Sequence, residues 1–329
     1  MEYEGTQLGL LIGILEFLAS ILSLTFNSVL IYILVNKMKL TQSDTVISFI
    51  LCILDSIYSL FSLFNMPLIW ATNYSIIKTS TAYCQLNGFV FGIMGISIVE
   101  TIMVLGVLRY LAICKGKLLK IRTWVIIEVL LVQANVGLGL YTGLTNSYEV
   151  QPSLKYCASN PISPVARIVY GILVIISVIS VIIIIFSYLS IAKHYRSYIK
   201  GIKKQNSEFI NLEKLKSSLE VQQRSISSSE LVHDFANAER KVINSIKKLY
   251  LMLSIYLLQI VPYLTLQAVY KLSNSGVQGE VIDNLVAFLA HFLPLTNPLF
   301  ILFFHEETNI ELKHVLVINW YRFKKMFYK

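Results

Sequence analysis

Charged residues are scarce in this sequence. Asp, Glu, Lys and Arg make up 14% of its 329 residues, whereas an ordinary soluble domain carries roughly a quarter. Because 55% of the residues are apolar as well, water cannot be the main solvent of the folded chain. A basic segment is missing from the start too, where Glu2 and Glu4 stand instead. This argues against a cleaved signal peptide, so we expect the first apolar run to act as the insertion signal.

Sequence motifs of enzymatic chemistry are also missing. The chain has no phosphate-binding glycine loop, no nucleophile elbow and no zinc-protease pair of histidines. Its five histidines show no ligand-like clustering, so no metal site is predicted. No paired catalytic groups at helical spacing share a common depth, and we therefore predict that the protein is not an enzyme.

What the sequence does contain is seven long apolar runs. A helix needs about 20 apolar residues to cross the hydrocarbon core of a bilayer, and each run is long enough. The predicted fold class is therefore an all-α membrane protein, a bundle of seven transmembrane helices. The predicted spans are Leu8–Val35, Val46–Trp70, Leu86–Ile113, Trp124–Leu144, Val165–Ala192, Ile243–Tyr270 and Val281–Phe304.

The positions of the basic residues predict which side each connection faces. The second, fourth and sixth connections hold four Lys or Arg residues, whereas the other connections and the C-terminal tail hold 23. Since Lys and Arg concentrate in cytoplasmic loops, the N-terminus is predicted outside and the C-terminus inside. The same asymmetry explains the net charge of +9 without any nucleic-acid partner.

The segments outside the spans are polar. The long third inner loop, residues 193–242, is rich in Ser and Lys, and we expect its ends to continue the fifth and sixth helices. This loop belongs to the bundle, which occupies residues 1–304. Residues 305–329 form a separate segment, in which Glu306–Val317 is predicted to be a short amphipathic cytoplasmic helix that precedes a basic tail.

Two of the four cysteines are expected to form a disulfide. Cys84 opens the third helix on the outer side and Cys157 lies in the second outer loop, so both face an oxidising compartment. Their bond would hold that loop over the mouth of the bundle. Cys52 and Cys114 lie within, or at the inner end of, helices and are expected to remain free thiols.

Several ionisable and amide side chains interrupt the apolar spans. A charged group there costs roughly 2.5–3.5 kcal/mol, so each needs a partner or a purpose. Asp55 is in the middle of the second span, at a depth where Asn27 and Asn297 can meet it, and the three are predicted to form one hydrogen-bonded core. The other acids in the spans, Glu16, Glu100 and Glu128, are expected near an interface or against a neighbouring helix.

Taken in order, these landmarks resemble those of the rhodopsin-like (class A) family of G-protein-coupled receptors. Leu108-Arg109-Tyr110 is similar to the family's D/E-R-Y triplet, and Arg109 follows Cys84 at the family's usual separation of 25 residues. Leu51 to Asp55 is similar to the L-x-x-x-D of the second helix. The resemblance covers nearly the whole chain, and its other matches are Asn27, Trp124, Tyr188, Pro262 and the Asn297-Pro298 of N-P-x-x-Y.

The resemblance implies a set of residues for switching and G-protein coupling, but with departures. Leu108 replaces the acid that normally pairs with the arginine, so basal activity is expected. Ile260 replaces the tryptophan of C-W-x-P, and Ile301 replaces the tyrosine of N-P-x-x-Y. The chain is therefore predicted to be a divergent member. The implied switching residues are Asn27, Asp55, Arg109, Tyr110, Tyr188, Pro262, Asn297 and Pro298.

The resemblance also implies a ligand pocket within the bundle. Phe91 stands where amine receptors carry an aspartate, which argues against a biogenic amine. His291 stands where opsins carry the lysine that binds retinal, and residues 281–304 contain no lysine, so no retinal cofactor is expected. His291 itself is interpreted either as a pocket contact or as a helix-packing residue. The implied pocket residues are Phe91, Gly95, Tyr263, Gln267, Ala287 and His291.

Two segments carry candidate modification sites. Asn73-Tyr74-Ser75 in the first outer loop is a match to the N-glycosylation tripeptide on the correct side. The third inner loop offers hydroxyls that phosphorylation would turn into an anionic patch, namely Ser225, Ser227, Ser228 and Ser229.

The function that the resemblance implies is that of a plasma-membrane receptor. An unknown extracellular ligand would shift the bundle between two states, and a heterotrimeric G protein would bind near Arg109 on the inner side. A small-solute or ion transporter or channel is the alternative, because it would also use the buried Asp55. The odd number of spans weighs against that alternative.

Overall fold

The structure is a computed structural model. It describes residues 7–160, 162–217, 226–273, 279–304, 307–315 and 317, and within these ranges the side chains of residues 202–217, 226–238, 267, 270–273 and 304 are outside the description. The helices are α1 (Gln7–Ile33), α2 (Ser43–Ala71), α3 (Ser75–Thr79), α4 (Thr81–Lys115), α5 (Ile121–Leu144), α6 (Pro164–Ser217), α7 (Ile226–Ser273), α8 (Glu280–His291) and α9 (Leu293–Phe304).

Within the described residues, seven helical stretches are long and apolar enough to cross a membrane. They are α1 with the π-helical turn Leu34–Met38 that follows it, then α2, α4, α5, α6, α7, and α8 together with α9. The predicted seven-helix fold is therefore confirmed. α6 runs on to Ser217 and α7 begins at Ile226, so the fifth and sixth helices do continue into the long loop. Residues 307–315 are helical, as predicted for the segment after the seventh span.

Polar side chains lie inside the bundle, and large apolar side chains cover its outside. Asp55 and Asn297 are fully buried, while Phe64, Leu130 and Ile175 are more than half exposed. This distribution is the reverse of that in a water-soluble protein, and it is the stable one when hydrocarbon surrounds the helices.

The two ends of the bundle are set by α4. Cys84 in its first turn is joined to Cys157 by a disulfide, which confirms the predicted pairing. Cys157 begins the second strand of a small antiparallel hairpin, β1 (Tyr148–Val150) and β2 (Cys157–Ser159). We call this the disulfide end of the bundle. The opposite end, where α4 carries Arg109, is the Arg109 end.

The seventh span is interrupted at Phe292, between α8 and α9. Pro294 lies two residues later, and its missing N–H and its ring prevent the helix from continuing through this point. Pro298, four residues further, has no N–H to donate to the carbonyl of Pro294. Ser23 Oγ and Asn27 Nδ2 of α1 donate to that carbonyl instead, at 2.8 and 3.2 Å. The break is thus fastened to the first helix.

Helices α4 and α5 pack closely because Gly139 has no side chain. A Cβ built on Gly139 would overlap the side chain of Ile93, which is fully buried. Gly137, two residues earlier on the exposed face of α5, has nothing within 4 Å of such a Cβ. Small residues at such contacts allow helix backbones to approach each other.

We expect Gly139→Ala to destabilise the bundle by about 1–3 kcal/mol, because the extra methyl group overpacks the contact with Ile93. The measurement is the apparent Tm of the purified protein in detergent. Gly137→Ala is the matched control and should leave the Tm unchanged. Equal Tm values for the two variants would contradict the close packing of α4 and α5.

Candidate functional site

A cavity of about 120 Å³ lies inside the bundle toward the disulfide end. Side chains of α2, α4, α6, α7, α8 and α9 form its walls, and the hairpin closes it from above with Tyr148, Tyr156 and residues 157–159. Because Cys157 is bonded to Cys84, the hairpin is held in this position. The disulfide therefore determines which residues of the loop between α5 and α6 face the cavity.

Five of the six residues predicted for the pocket line this cavity. They are Phe91 and Gly95 of α4, Tyr263 of α7, and Ala287 and His291 of α8. The sixth, Gln267, has its side chain outside the described part of the chain. The structure thus brings the described members of the predicted set to one place, and their role in ligand binding stays a prediction.

His291 is fixed in the cavity wall by a hydrogen bond and by aromatic contacts. Its Nδ1 lies 2.8 Å from the carbonyl oxygen of Ala287, which only accepts, so Nδ1 carries the proton. Its ring packs against Phe91 and Tyr58, with centroids 5.1 and 5.4 Å apart. In the neutral ring Nε2 is then an acceptor, and it is buried without a hydrogen-bond partner among the described residues. Both interpretations of His291, pocket contact and helix packing, fit this geometry.

Sequence reasoning found Tyr263 but missed the other tyrosine residues of the cavity wall. Tyr58 of α2, Tyr170 of α6 and the hairpin's Tyr156 line the cavity together with Tyr263. The phenol groups of Tyr58, Tyr156 and Tyr170 are all within electrostatic reach of that of Tyr263. Tyrosine is abundant, with 19 residues in the chain, so no single one stood out before the helices were assembled.

A buried ion pair joins the loop between α5 and α6 to the first helix. Lys155 Nζ lies 3.3 Å from Glu16 Oε2, and the two side chains are 3% and 0% exposed. Burial lowers the pKa of the Lys155 ammonium, and the neighbouring Glu16 carboxylate opposes that shift. Glu16 was expected near an interface or against a neighbouring helix, but its partner in the loop was not predicted.

The same loop is also bonded to the seventh span through Asp283. Its carboxylate accepts hydrogen bonds from the Tyr156 hydroxyl at 2.5 Å and from the Ser153 backbone N–H at 2.9 Å. Burial, with Asp283 beside it, raises the pKa of the Tyr156 phenol well above its usual range. Together with Lys155 and Glu16, these contacts fasten the loop to helices on two sides. We call these five residues the loop latch.

The predicted hydrogen-bonded core around Asp55 is only partly present. Asn297 Nδ2 donates to both carboxylate oxygens of Asp55, at 3.0 and 3.1 Å, and the Tyr256 hydroxyl donates to Asn297 Oδ1 at 2.9 Å. Asn27, however, donates to Ser23 and to the Pro294 carbonyl and has no described bond to Asp55. The prediction that all three meet was wrong for Asn27, because the carbonyl orphaned by Pro298 takes its amide. The third member of this hydrogen-bonded core is Tyr256, which sequence reasoning missed.

Arg109 has a counter-charge that the sequence did not predict. Asp44, in the first turn of α2, accepts from Arg109 Nε at 2.8 Å and from a terminal nitrogen at 3.2 Å. This counter-charge removes the reason for which basal activity was expected, and basal activity itself stays a prediction. Tyr188 is fully buried and within electrostatic reach of both Arg109 and Tyr256. Tyr110 packs edge-on against Phe186 at 5.4 Å.

Two further acids inside the spans pair with neutral groups of neighbouring helices. Glu100 Oε2 of α4 accepts from Asn135 Nδ2 of α5 at 2.6 Å, and Glu128 Oε1 of α5 accepts from the Thr101 hydroxyl of α4. These acids were expected either near an interface or against a neighbouring helix, and the structure shows the contact with a neighbouring helix. The two hydrogen bonds strengthen the contact between α4 and α5.

The structure describes the candidate glycosylation site but not the side chains of the candidate phosphorylation sites. Asn73 is in the tight turn between α2 and α3 at the disulfide end, with a positive φ of 47°. Ser225 and the side chains of Ser227, Ser228 and Ser229 lie outside the described part of the chain. Glycosylation and phosphorylation both stay predictions.

We expect Lys155→Met to lower the apparent Tm, because it leaves the buried Glu16 carboxylate without its cation. Removal of one partner from a buried ion pair costs about 3–5 kcal/mol. Lys78→Met, an exposed lysine at the same end, is the control and should have little effect. Adding Glu16→Gln to Lys155→Met should restore much of the loss. A double variant that is no more stable than Lys155→Met would show that the pair is not coupled.

Comparison with known proteins identifies similar chains. A family model described as "7 transmembrane receptor (rhodopsin family)" matches residues 26–300. Among solved structures, the crystal structure of squid rhodopsin has a TM-score of 0.69 and 18% sequence identity, over 95% of this chain and 87% of the squid chain. At this identity the likeness shows the fold alone. No curated protein sequence matches the chain.

Proposed function

The chain belongs to the rhodopsin family of seven-transmembrane receptors, and we propose that it binds an extracellular signal inside the bundle and activates a heterotrimeric G protein. The family is one of multi-pass membrane receptors that signal through G proteins. In the proposed arrangement the disulfide end faces outward at the plasma membrane and the Arg109 end faces the cytoplasm. The loop charges support this orientation, since basic residues concentrate on the Arg109 side.

The observation that carries the proposal is that one helix, α4, connects the cavity to Arg109. Gly95 lines the cavity and Arg109 pairs with Asp44 at the other end. Fourteen residues separate them, which is about 21 Å of helix at 1.5 Å per residue. A ligand in the cavity therefore contacts the same rigid element that holds the candidate coupling residue.

A path of polar contacts runs beside this helix and offers a second connection. It leads from Asp55 to Asn297 and Tyr256 by hydrogen bonds, and from there to Tyr188 and Arg109 by electrostatic proximity. We propose that movement of α7 about Pro262 separates Tyr256 from Asn297 when the receptor is activated. In the family, a tryptophan of the sixth helix takes part in switching, and this chain lacks it. Tyr256 would then take over part of that role.

The resting state in this proposal is held by the bond between Asp44 and Arg109. The family's usual acid would come from α4 itself, but here it comes from α2 and crosses between two helices. Such a bond must break before Arg109 can contact a G protein. The pair thus favours the resting state in a two-state equilibrium.

The remaining expectations carry over as parts of the proposal. We propose no retinal cofactor, because His291 occupies the position of the opsin lysine, and no enzymatic activity. Phosphorylation of Ser225, Ser227, Ser228 and Ser229 would add negative charge to the predicted third inner loop, residues 193–242, and so regulate coupling. Asn73, at the disulfide end, is the proposed glycosylation site.

We expect the purified protein to accelerate nucleotide exchange on at least one subunit of a Gα panel, and Arg109→Ala to reduce that acceleration severalfold. Arg122→Ala, an exposed arginine at the same end, is the control. Exchange that is unaffected across the whole panel would count against the proposal. Solute or ion flux into liposomes that Asp55→Ala abolishes would favour the transporter alternative instead.

We expect Asp44→Asn to raise basal exchange, because it removes the charge that holds Arg109. A pair worth about 1 kcal/mol shifts a two-state equilibrium about fivefold. Adding Leu108→Asp places an acid beside Arg109 and should bring basal exchange back down. Basal exchange that is the same in Asp44→Asn and the unmodified protein would show that the pair does not hold the resting state.

A further inference from the structure

Among the residues that the structure describes, no Asp, Glu, Lys or Arg lines the cavity. Aliphatic and aromatic side chains make up most of its wall, with Phe91, Ile98 and Leu173 among them. A charged ligand that left water for this cavity would lose its hydration and meet no opposite charge in return. The cost of that transfer is several kcal/mol per ion.

The charges nearest to the cavity are already used within the protein. Lys155 pairs with Glu16, and Asp283 accepts two hydrogen bonds from the loop. None of the three lines the cavity. A ligand would have to break the loop latch to reach any of them, so they do not offer it a counter-charge.

The polar side chains that line the cavity carry hydroxyl groups, an amide and an imidazole. Tyr58, Tyr170 and Tyr263 contribute phenol groups from three different helices. Gln259 accepts from Thr296 at 3.2 Å, and its amide nitrogen supplies further donors. His291 contributes an acceptor, its unpaired Nε2. A hydroxyl group matches this set best, because it can accept from a phenol and donate to the imidazole.

The cavity also has room on the α4 side. Gly92 and Gly95 both line it, and a Cβ built on either would have nothing within 4 Å. Close to this open side, Phe91 packs with its edge against Tyr58 and Phe61, with centroids 5.2 Å apart in each pair. The space is therefore bounded by aromatic rings and is suited to a hydrocarbon ring system.

From these observations we propose that the ligand is an uncharged, mainly hydrocarbon molecule that carries a hydroxyl group, bound between the Phe91 cluster and the tyrosine hydroxyls. This inference rests on the proposed function only in taking the cavity as the receptor's ligand site. It excludes both cationic and anionic ligands of the same size, which extends the argument against amines from one residue to the whole cavity.

The test uses matched probes that share a ring and differ in charge. The full chain is reconstituted in nanodiscs of uncharged phosphatidylcholine, and its apparent Tm is followed by tryptophan fluorescence. The probes carry one phenyl ring, which suits the size of the cavity and does not interfere with tryptophan fluorescence. They are the alcohols phenylmethanol and 2-phenylethanol, with phenylethylammonium and phenylacetate as the matched ions. Because a ligand stabilises the state that it binds, the alcohol should raise the Tm and the two ions should not.

Variants at Gly95 show whether the cavity is responsible. Gly95→Leu fills the open side and should abolish the shift caused by the alcohol. Gly171→Leu is the control, since that glycine also has open space around it but does not line the cavity. Gly95→Asp adds a negative charge and should make the ammonium probe stabilising, whereas the neutral Gly95→Asn should not.

The outcomes separate this inference from the proposed function. Equal shifts from the alcohol and either ion in the unmodified protein would overturn the inference, as would no shift from any alcohol or a shift that persists in Gly95→Leu. Because these measurements contain no G protein, they do not depend on the exchange assay. Alcohol binding without exchange on any Gα subunit would count against the receptor function alone.

Discussion

Inside a bilayer, a polar group that loses water has to find its hydrogen-bond partner within the protein. This constraint explains why the buried polar groups of this chain connect elements that are distant in sequence. Pro298 cannot donate to the carbonyl of Pro294, and Ser23 and Asn27 of the first helix supply the missing donors. These hydrogen bonds join the kinked seventh span to the first helix at a point where no opposite charges attract the two helices.

The same constraint produces three polar levels along the bundle. The loop latch lies at the disulfide end, the bond between Asp55 and Asn297 lies in the middle, and the pair of Asp44 and Arg109 lies at the other end. The cavity lies between the loop latch and Asp55. Among the described residues, no Asp, Glu, Lys or Arg lines it. The two ion pairs, Lys155 with Glu16 and Arg109 with Asp44, thus lie outside the space where a ligand would bind.

Residue patterns were sufficient to predict the spans, the disulfide and the contact of Asp55 with Asn297, because helix length and depth in the membrane follow from sequence periodicity. They were not sufficient for Asp44 and Arg109. That contact depends on how α2 and α4 are rotated and offset, which no local pattern contains. Asn27 was assigned to Asp55 because depth alone cannot distinguish two acceptors at similar heights. Lys155 was missed because a loop lysine is normally solvated.

The interruption at Phe292 divides the seventh span into two rods of twelve residues each. Each rod is about 18 Å long at 1.5 Å per residue, so a tilt of ~10° at the joint displaces its far end by ~3 Å. The carbonyl of Pro294 lies at this joint and is fastened to α1. The first helix therefore holds the joint in place, so that a change of tilt beside His291 would displace the far end of α9 more than the joint itself.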